Sequence, residues 1–273
     1  MRVLDLFSGI GGFSLGLERA GMTTVAFCEI DPFCRAVLKK HWPHVPQYED
    51  VRSLTAERLR ADGIAVDAIC GGFPCQDISE AGSRAGIEGE RSGLWSEYAR
   101  IIGEVRPQFV IVENVADLLI RGMGKVLGDL AALGYDAEWH CIPAAYVGAD
   151  HWRDRIWIIA HPNSAGTISL HKRRRKQRAQ EVGEDAADDH SSRLSRRVQT
   201  RAHSEDEAIF VERLRLAIDA PPSFPGLDGA GSPVLGRGED GISNRVDRMH
   251  ALGNAVVPQI PEIIGRAIME TAA

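Results

Sequence analysis

Short apolar runs of strand length recur through residues 1 to about 160, each ended by a turn and most followed by a helical stretch. Val3-Leu4-Asp5-Leu6-Phe7 is the first, with a glycine turn and a helical stretch near 12–20 behind it. Thr24 to Cys28 reads as the next strand and Pro32 to Lys40 as the next helix, its proline near the first turn, where a missing N–H is harmless. Val66-Asp67-Ala68-Ile69-Cys70 and Phe109-Val110-Ile111-Val112 are two more buried strands, and helical segments near 93–105 and 122–133 flank the second. Two later segments, about 136–143 and 153–161, can extend the sheet. Strands separated by helices join by crossovers rather than hairpins, which predicts an α/β fold with a mostly parallel sheet covered on both faces.

The texture changes after His161. Residues 164–208 are polar and poor in large hydrophobics, and hold the basic run His171 to Arg178 followed by the acidic cluster Glu181 to Asp189. Residues 220–243 are rich in Pro and Gly and read as loop. Regular pattern returns over Ala251 to Ala272, where Pro258 and Pro261 lead into a short C-terminal helix. The expected organisation is a large α/β body over 1–160, a variable segment over 161–245 and a tail over 246–273 that rejoins the body. The basic run reads either as a solvated segment or as a phosphate contact, which adds affinity without sequence choice.

Hydrophobic residues at 44% and charged residues at 26% are ordinary for a soluble globular enzyme. No run approaches the roughly 18 apolar residues of a membrane span, and Met1-Arg2-Val3-Leu4-Asp5 meets an acid too early for a signal peptide. The cysteines (Cys28, Cys34, Cys70, Cys75 and Cys141) are odd in number and form no C-x-x-C pair. With nine scattered histidines, they argue for reduced thiols in a cytoplasm-like compartment and against a metal site. All but Cys75 read as small buried hydrophobes. The net charge of −6 argues against a protein that coats nucleic acid indiscriminately, but allows a local basic cleft.

Asp5-Leu6-Phe7-Ser8-Gly9-Ile10-Gly11-Gly12 places a glycine-rich turn between the first strand and the first helix. At the carboxyl end of a strand in an open α/β sheet, a nucleotide-like ligand sits at such a turn. Glu29 ends the second strand, where a carboxylate can accept ribose hydroxyls, and Asp50 is a candidate at the end of the third. The dinucleotide fingerprint G-x-G-x-x-G is not met, since Gly9-Ile10-Gly11-Gly12-Phe13-Ser14 lacks its third glycine. Gly71-Gly72-Phe73-Pro74-Cys75-Gln76 follows the fourth strand and presents a cysteine at the same edge. Glu113-Asn114-Val115 follows the strand ending at Val112, and His151-Trp152-Arg153-Asp154-Arg155 places two arginines on one face of an apparent strand.

The order and content of these segments resemble the C5-cytosine-specific DNA methyltransferase family. The resemblance covers about residues 3–160 and 245–268 and is most specific at Asp5–Gly12, Gly71–Gln76, Glu113–Val115 and Ala251–Gln259. It implies a Rossmann-like, S-adenosylmethionine-dependent methyltransferase fold with a small target-recognition region over the variable segment. It further implies that Phe7 stacks on the adenine and Glu29 holds the ribose, with Ile30, Asp50 and Val51 completing the adenine pocket. Ile10, Gly11, Gly12 and Asn254 would line the methionine part, with Leu94 close by. Arg153 and Arg155 match arginines that orient the cytosine and the catalytic carboxylate. Where the family shows Pro-Gln-Arg before the first of these, this chain has Asp150, His151 and Trp152, and Glu49 stands where a glycine often precedes the third acid.

Chemistry explains the residue types. Cytosine C5 is a poor nucleophile until a thiolate adds at C6, the part that suits Cys75. Glu113, protonated or sharing a proton with ring N3, stabilises the charge that develops. Duplex stacking hides both carbons, so the cytosine must be flipped out of double-stranded DNA. Three rivals stand beside this reading. An RNA cytosine methyltransferase of the same family would carry Cys-Phe-Thr, and no cysteine here is followed by Phe-Thr. A non-catalytic homologue that holds DNA or cofactor draws support only from positions 150–152. A nicotinamide-dependent oxidoreductase is disfavoured by the glycine spacing. A monomer is the plainest expectation, and a restriction–modification system, a phage or a stand-alone epigenetic role are all compatible with the chain.

Overall fold

Alternate residues of each central strand enter two different hydrophobic clusters, one on each face of a single sheet. Leu4, Leu6, Ile69, Val110, Val112, Ile156 and Ile158 belong to the first cluster. Val3, Ala68, Cys70, Ile111, Trp157 and Ile159 belong to the second. This period of two is what strands buried on both sides require, and explains why the runs show no polar alternation. The computed structural model describes residues 1–74, 94–163 and 245–271. Cys75, the basic run 171–178, the acidic cluster 181–189 and the Pro/Gly-rich stretch 220–243 lie outside the described residues.

The elements in order are β1 (Arg2–Leu6), α1 (Gly12–Arg19), β2 (Thr23–Cys28), α2 (Pro32–His41), β3 (Gln47–Tyr48), α3 (Ala56–Ala61), β4 (Ala68–Gly71) and α4 (Leu94–Val105). Then come β5 (Phe109–Val115), α5 (Leu118–Arg121), α6 (Met123–Ala132), β6 (Tyr135–Cys141), a 3₁₀ turn (Ala144–Val147), β7 (Arg155–Pro162), α7 (Arg245–Asn254) and α8 (Gln259–Thr271). The sheet order is β3-β2-β1-β4-β5-β7-β6. Strands β3 to β5 are parallel, and β7 runs antiparallel to both β5 and β6. Strand order reverses between β1 and β4, and ligands of open α/β sheets bind outside the carboxyl ends of strands at such a switch.

Helices α4 and α6 supply Trp95, Tyr98, Ile101, Ile102, Val126 and Leu130 to the first cluster. Helices α1 and α8 supply Phe13, Leu17, Ile260, Ile263, Ile264, Ala267 and Ile268 to the second. Residues near the two ends of the chain thus share one core. A Cβ on Gly16 of α1 would stand 2.2 Å from the Pro258 carbonyl oxygen, so only glycine lets this helix and the tail approach so closely.

The structure changes several expectations. Strand β5 continues to Val115, so Glu113 lies within a strand that pairs with β7 rather than in the turn beyond it. Arg153 lies outside β7 at a left-handed φ of 36°, so strand alternation is not what aims it with Arg155. Asp50 stands two residues past β3, which ends at Tyr48. Cys141 is exposed rather than buried, because it closes edge strand β6. Cys28, Cys34 and Cys70 are buried as expected. Among the described residues no helix is long and apolar enough to cross a membrane.

Candidate active site

At the carboxyl edge of β1, β2, β4 and β5 lies a cavity of about 480 Å3, within the range of small-molecule and cofactor sites. One side is built from nearly contiguous chain. Phe7 leaves β1 at φ 53°, a left-handed conformation that bulky side chains rarely adopt and that concentrates at functional sites. Gly9 and Gly11 follow at φ 53° and 88° and swing the chain into α1. Glu29, at the end of β2, accepts from the Gly9 N–H at 2.7 Å with one carboxylate oxygen and from the Asp31 N–H at 2.8 Å with the other. It therefore fastens the glycine turn to the start of α2, while each oxygen keeps a lone pair for a ligand hydroxyl. Asp31 then caps α2 through Phe33 N and Cys34 N. Burial and the nearby Glu29 carboxylate push the Cys28 and Cys34 thiols up to about 12, so both line the cavity as neutral groups.

Phe7, Glu29, Ile30, Asp50, Val51, Leu94 and Asn254, all singled out from sequence, line this cavity. Ile30 is 64% exposed there, an apolar side chain that a bound apolar group would cover. Asp50 is held by Arg52, whose guanidinium donates to both carboxylate oxygens at 2.7–3.0 Å and keeps the Asp50 acid below its ordinary range. Ile10, Gly11 and Gly12 are not among the lining residues; Gly9 is. The structure gives Gly11 and Gly12 a different constraint. A Cβ on Gly11 would stand 2.6 Å from the Trp42 ring, and one on Gly12 would stand 2.5 Å from the Val256 carbonyl oxygen.

The opposite side is assembled from distant segments. Glu113 points from β5 into the cavity with only 12% of its side chain exposed, and Arg155 of β7 meets its carboxylate at 3.0 Å. Burial raises the Glu113 acid above its ordinary value, and Arg155 and Arg153 partly oppose that rise. A Cβ on Gly72 would stand 2.7 Å from the Glu113 carboxylate, so glycine at 72 keeps this contact open. Asn114, almost fully buried, donates to the Phe73 carbonyl at 3.1 Å and ties the loop after β4 to β5. Phe73 and Pro74 form part of the wall, and Pro74 is the residue before Cys75.

Arg153 reaches the cavity and also holds the tail. Its guanidinium donates to the Gly253 carbonyl at 2.7 Å and the Ala255 carbonyl at 3.0 Å, on either side of Asn254. These carbonyls lie at the C-terminal end of α7, where a cation is favoured. Sequence reasoning did not single out this contact, nor Gly9, Asp31, Arg52 or Asn114 as site residues. Asn114 and Gly72 sit inside the recognised motifs, whereas nothing local marks Arg52.

Residues 1–213 match a family profile described as C-5 cytosine-specific DNA methylase. The chain is similar to the Type II methyltransferase M2.BsuMI of Bacillus subtilis, 37% identical over 168 residues that make up 59% of this chain and 42% of that protein. It is 30% identical over 177 residues to the Type II methyltransferase M.AquIA of Picosynechococcus, covering 59% of this chain and 71% of that protein. It thus spans less than half the length of M2.BsuMI. Among solved structures it is similar to a chain assigned as a DNA modification methyltransferase encoded within an Escherichia coli prophage, at TM-score 0.52 and 27% identity over 63% of this chain and 48% of that one. Spodoptera frugiperda DNMT2 shares the fold at TM-score 0.51 and 21% identity, over 60% of this chain and 50% of that one.

Proposed function

Because the chain belongs to the C-5 cytosine-specific DNA methylase family, we propose that it methylates C5 of a flipped-out cytosine in double-stranded DNA, with Cys75 as nucleophile. The observation that carries the reading is the buried Glu113–Arg155 pair facing a cavity whose wall includes Pro74, the residue that precedes Cys75 in the sequence. The same cavity fits S-adenosylmethionine. The exposed Ile30 and the Phe7 ring suit an adenine face, Glu29 suits ribose hydroxyls, and the Asn254 amide suits the polar methionine part.

In this mechanism the Cys75 thiolate adds to C6, forming an S–C6 bond and pushing an electron pair into the ring. Glu113, whose burial favours its protonated form, donates toward N3 and neutralises the charge that develops there. Arg155 fixes the carboxyl group against Gly72 and keeps its acid from rising further. S-adenosylmethionine, when bound, would supply the electrophilic methyl group, its S–CH3 bond breaking as C5 takes the methyl and S-adenosylhomocysteine remaining as the leaving group. Loss of the C5 proton to a base then restores the C5–C6 double bond, breaks the S–C6 bond and frees the Cys75 thiolate, while the proton at N3 returns to Glu113. The reading divides the chain into a catalytic body over 1–160, a target-recognition segment over 161–245 and a returning tail over 246–273. The Type II methyltransferase relatives support a restriction–modification setting.

The test is transfer of label from tritiated S-adenosylmethionine to genomic DNA and, separately, to transfer RNA, with Cys75→Ser as control. Label entering DNA and lost in the variant, with cofactor binding retained, is the expected result. Label entering RNA alone would replace the DNA reading with an RNA one.

A further inference from the structure

The connection between β6 and β7, residues 142–154, carries two large aromatic side chains that the chemistry above does not use. Tyr146 is 50% exposed and Trp152 is 63% exposed. Their ring centroids lie 6.0 Å apart at 84°, an edge-to-face pair on an exposed part of the loop. A Trp left this exposed is the kind of side chain that anchors an interface.

The loop that holds them is braced. Val147 is buried with Ile142 and Trp157. The Ile142 N–H donates to the Arg155 carbonyl and the Ala144 N–H to the Arg153 carbonyl, closing the loop at its base. At Arg153 the backbone turns through its left-handed φ, so that residue reaches the cavity while Trp152 stays outside. Strand β7 begins opposite Val115, at the carboxyl end of β5. The aromatic pair therefore stands at the sheet edge that carries the cavity, one residue from its wall.

Charge decides what such a surface can take. Asp150 and Asp154 lie on the same loop, and Arg153 between them is turned to the tail carbonyls; this disfavours a phosphate, whereas the face of a base is neutral and stacks on any aromatic ring. Flipping a cytosine deprives its neighbours of a stacking partner. We propose that Trp152 and Tyr146 form a stacking surface for a DNA base beside the cytosine that enters the cavity. The inference rests on the methyltransferase reading above.

The experiment measures methyl transfer to sheared genomic DNA by the wild type, Trp152→Ala, Tyr146→Ala and Trp152→Phe. Trp152→Ala is expected to raise KM for DNA about tenfold, with a smaller rise for Tyr146→Ala and recovery in Trp152→Phe. KM for S-adenosylmethionine and Tm stay at wild-type values, and the salt dependence of DNA binding is unchanged because no phosphate contact is lost. An unchanged KM for DNA in Trp152→Ala overturns the proposal. So does a fall in Tm with parallel loss of cofactor binding, which would mean that the rings pack against this chain itself. A wild type that labels no DNA overturns the methyltransferase reading first, and this inference with it.

Discussion

The two sides of the cavity are built on opposite plans. One side runs from Phe7 to Arg52 and is held largely within that stretch, as by Glu29 on the Gly9 and Asp31 amides, with Arg100 donating to the Val51 carbonyl from outside it. The other side joins Gly72, Glu113, Arg155 and the tail around Asn254, and its ties span from 41 residues, for Asn114 to Phe73, to 102, for Arg153 to Ala255. A local site forms wherever its strand and turn form. A distributed site exists only when the whole body has folded, so its ties are also its weak points.

The largest separation between the two sides should come from Glu113→Gln. This change keeps the shape but removes the acid, and kcat should fall by about 10²- to 10⁴-fold. The dissociation constant for S-adenosylhomocysteine, read by calorimetry, should stay near the wild-type value. Loss of both together would mean that the sides are not separable.

Gly12→Ala attacks the seam from the other direction. Its new Cβ would stand 2.5 Å from the Val256 carbonyl oxygen, so either α1 or the tail must shift. We expect a destabilisation of about 1–3 kcal/mol, read in urea titration, with weaker cofactor binding because Asn254 moves with the tail. An unperturbed Tm would show that the tail yields freely and that the seam is not a constraint.

Arg153→Ala should have a smaller effect on the same seam. Two hydrogen bonds from a charged group to the carbonyls flanking Asn254 are lost, and each such bond is worth roughly 1.5–3 kcal/mol at most. KM for S-adenosylmethionine should rise by about tenfold with a lesser fall in kcat, and Arg153→Lys should recover part of it. A fall in kcat alone would return Arg153 to the role of orienting cytosine.

The same contrast governs what could be read from the sequence. Phe7, Glu29 and Ile30 were legible because each sits at a strand end whose apolar run is plain, and Glu113 because its motif follows such a run. The bond from Arg153 to the tail was not legible, since no local pattern joins residues 153 and 253 across the intervening segment. The left-handed turn at Arg153 was hidden for a related reason. An alternating Arg-Asp-Arg reads as strand, and only the closed loop beneath it shows that the strand begins at Arg155. Gly11 and Gly12 were recognised as turn glycines. Their partners Trp42 and Val256 come from elsewhere in the chain.

Asp5 tests whether the local side is as self-contained as it looks. It is fully buried in β1 beneath the glycine turn, where Ser14 of α1 donates to it at 2.7 Å. Burial pushes its acid up to about 7 despite the hydrogen bonds from Ser14 and Cys70, against about 3.9 in an unfolded chain. Between those values the folded state holds a proton that the unfolded state has released, so unfolding free energy falls as pH rises. The contribution is fully present below the unfolded value, is lost as pH climbs through about 7, and is constant above that. Asp5→Asn cannot ionise and removes this slope, so the Tm of the variant relative to wild type should be higher at pH 8 than at pH 5. Turnover at neutral pH should change least of all the variants here. A difference in Tm that does not vary with pH would mean that Asp5 is charged throughout and balanced by a partner. The Phe7–Arg52 side would then depend on a long-range charge contact of the kind that marks the Glu113 side.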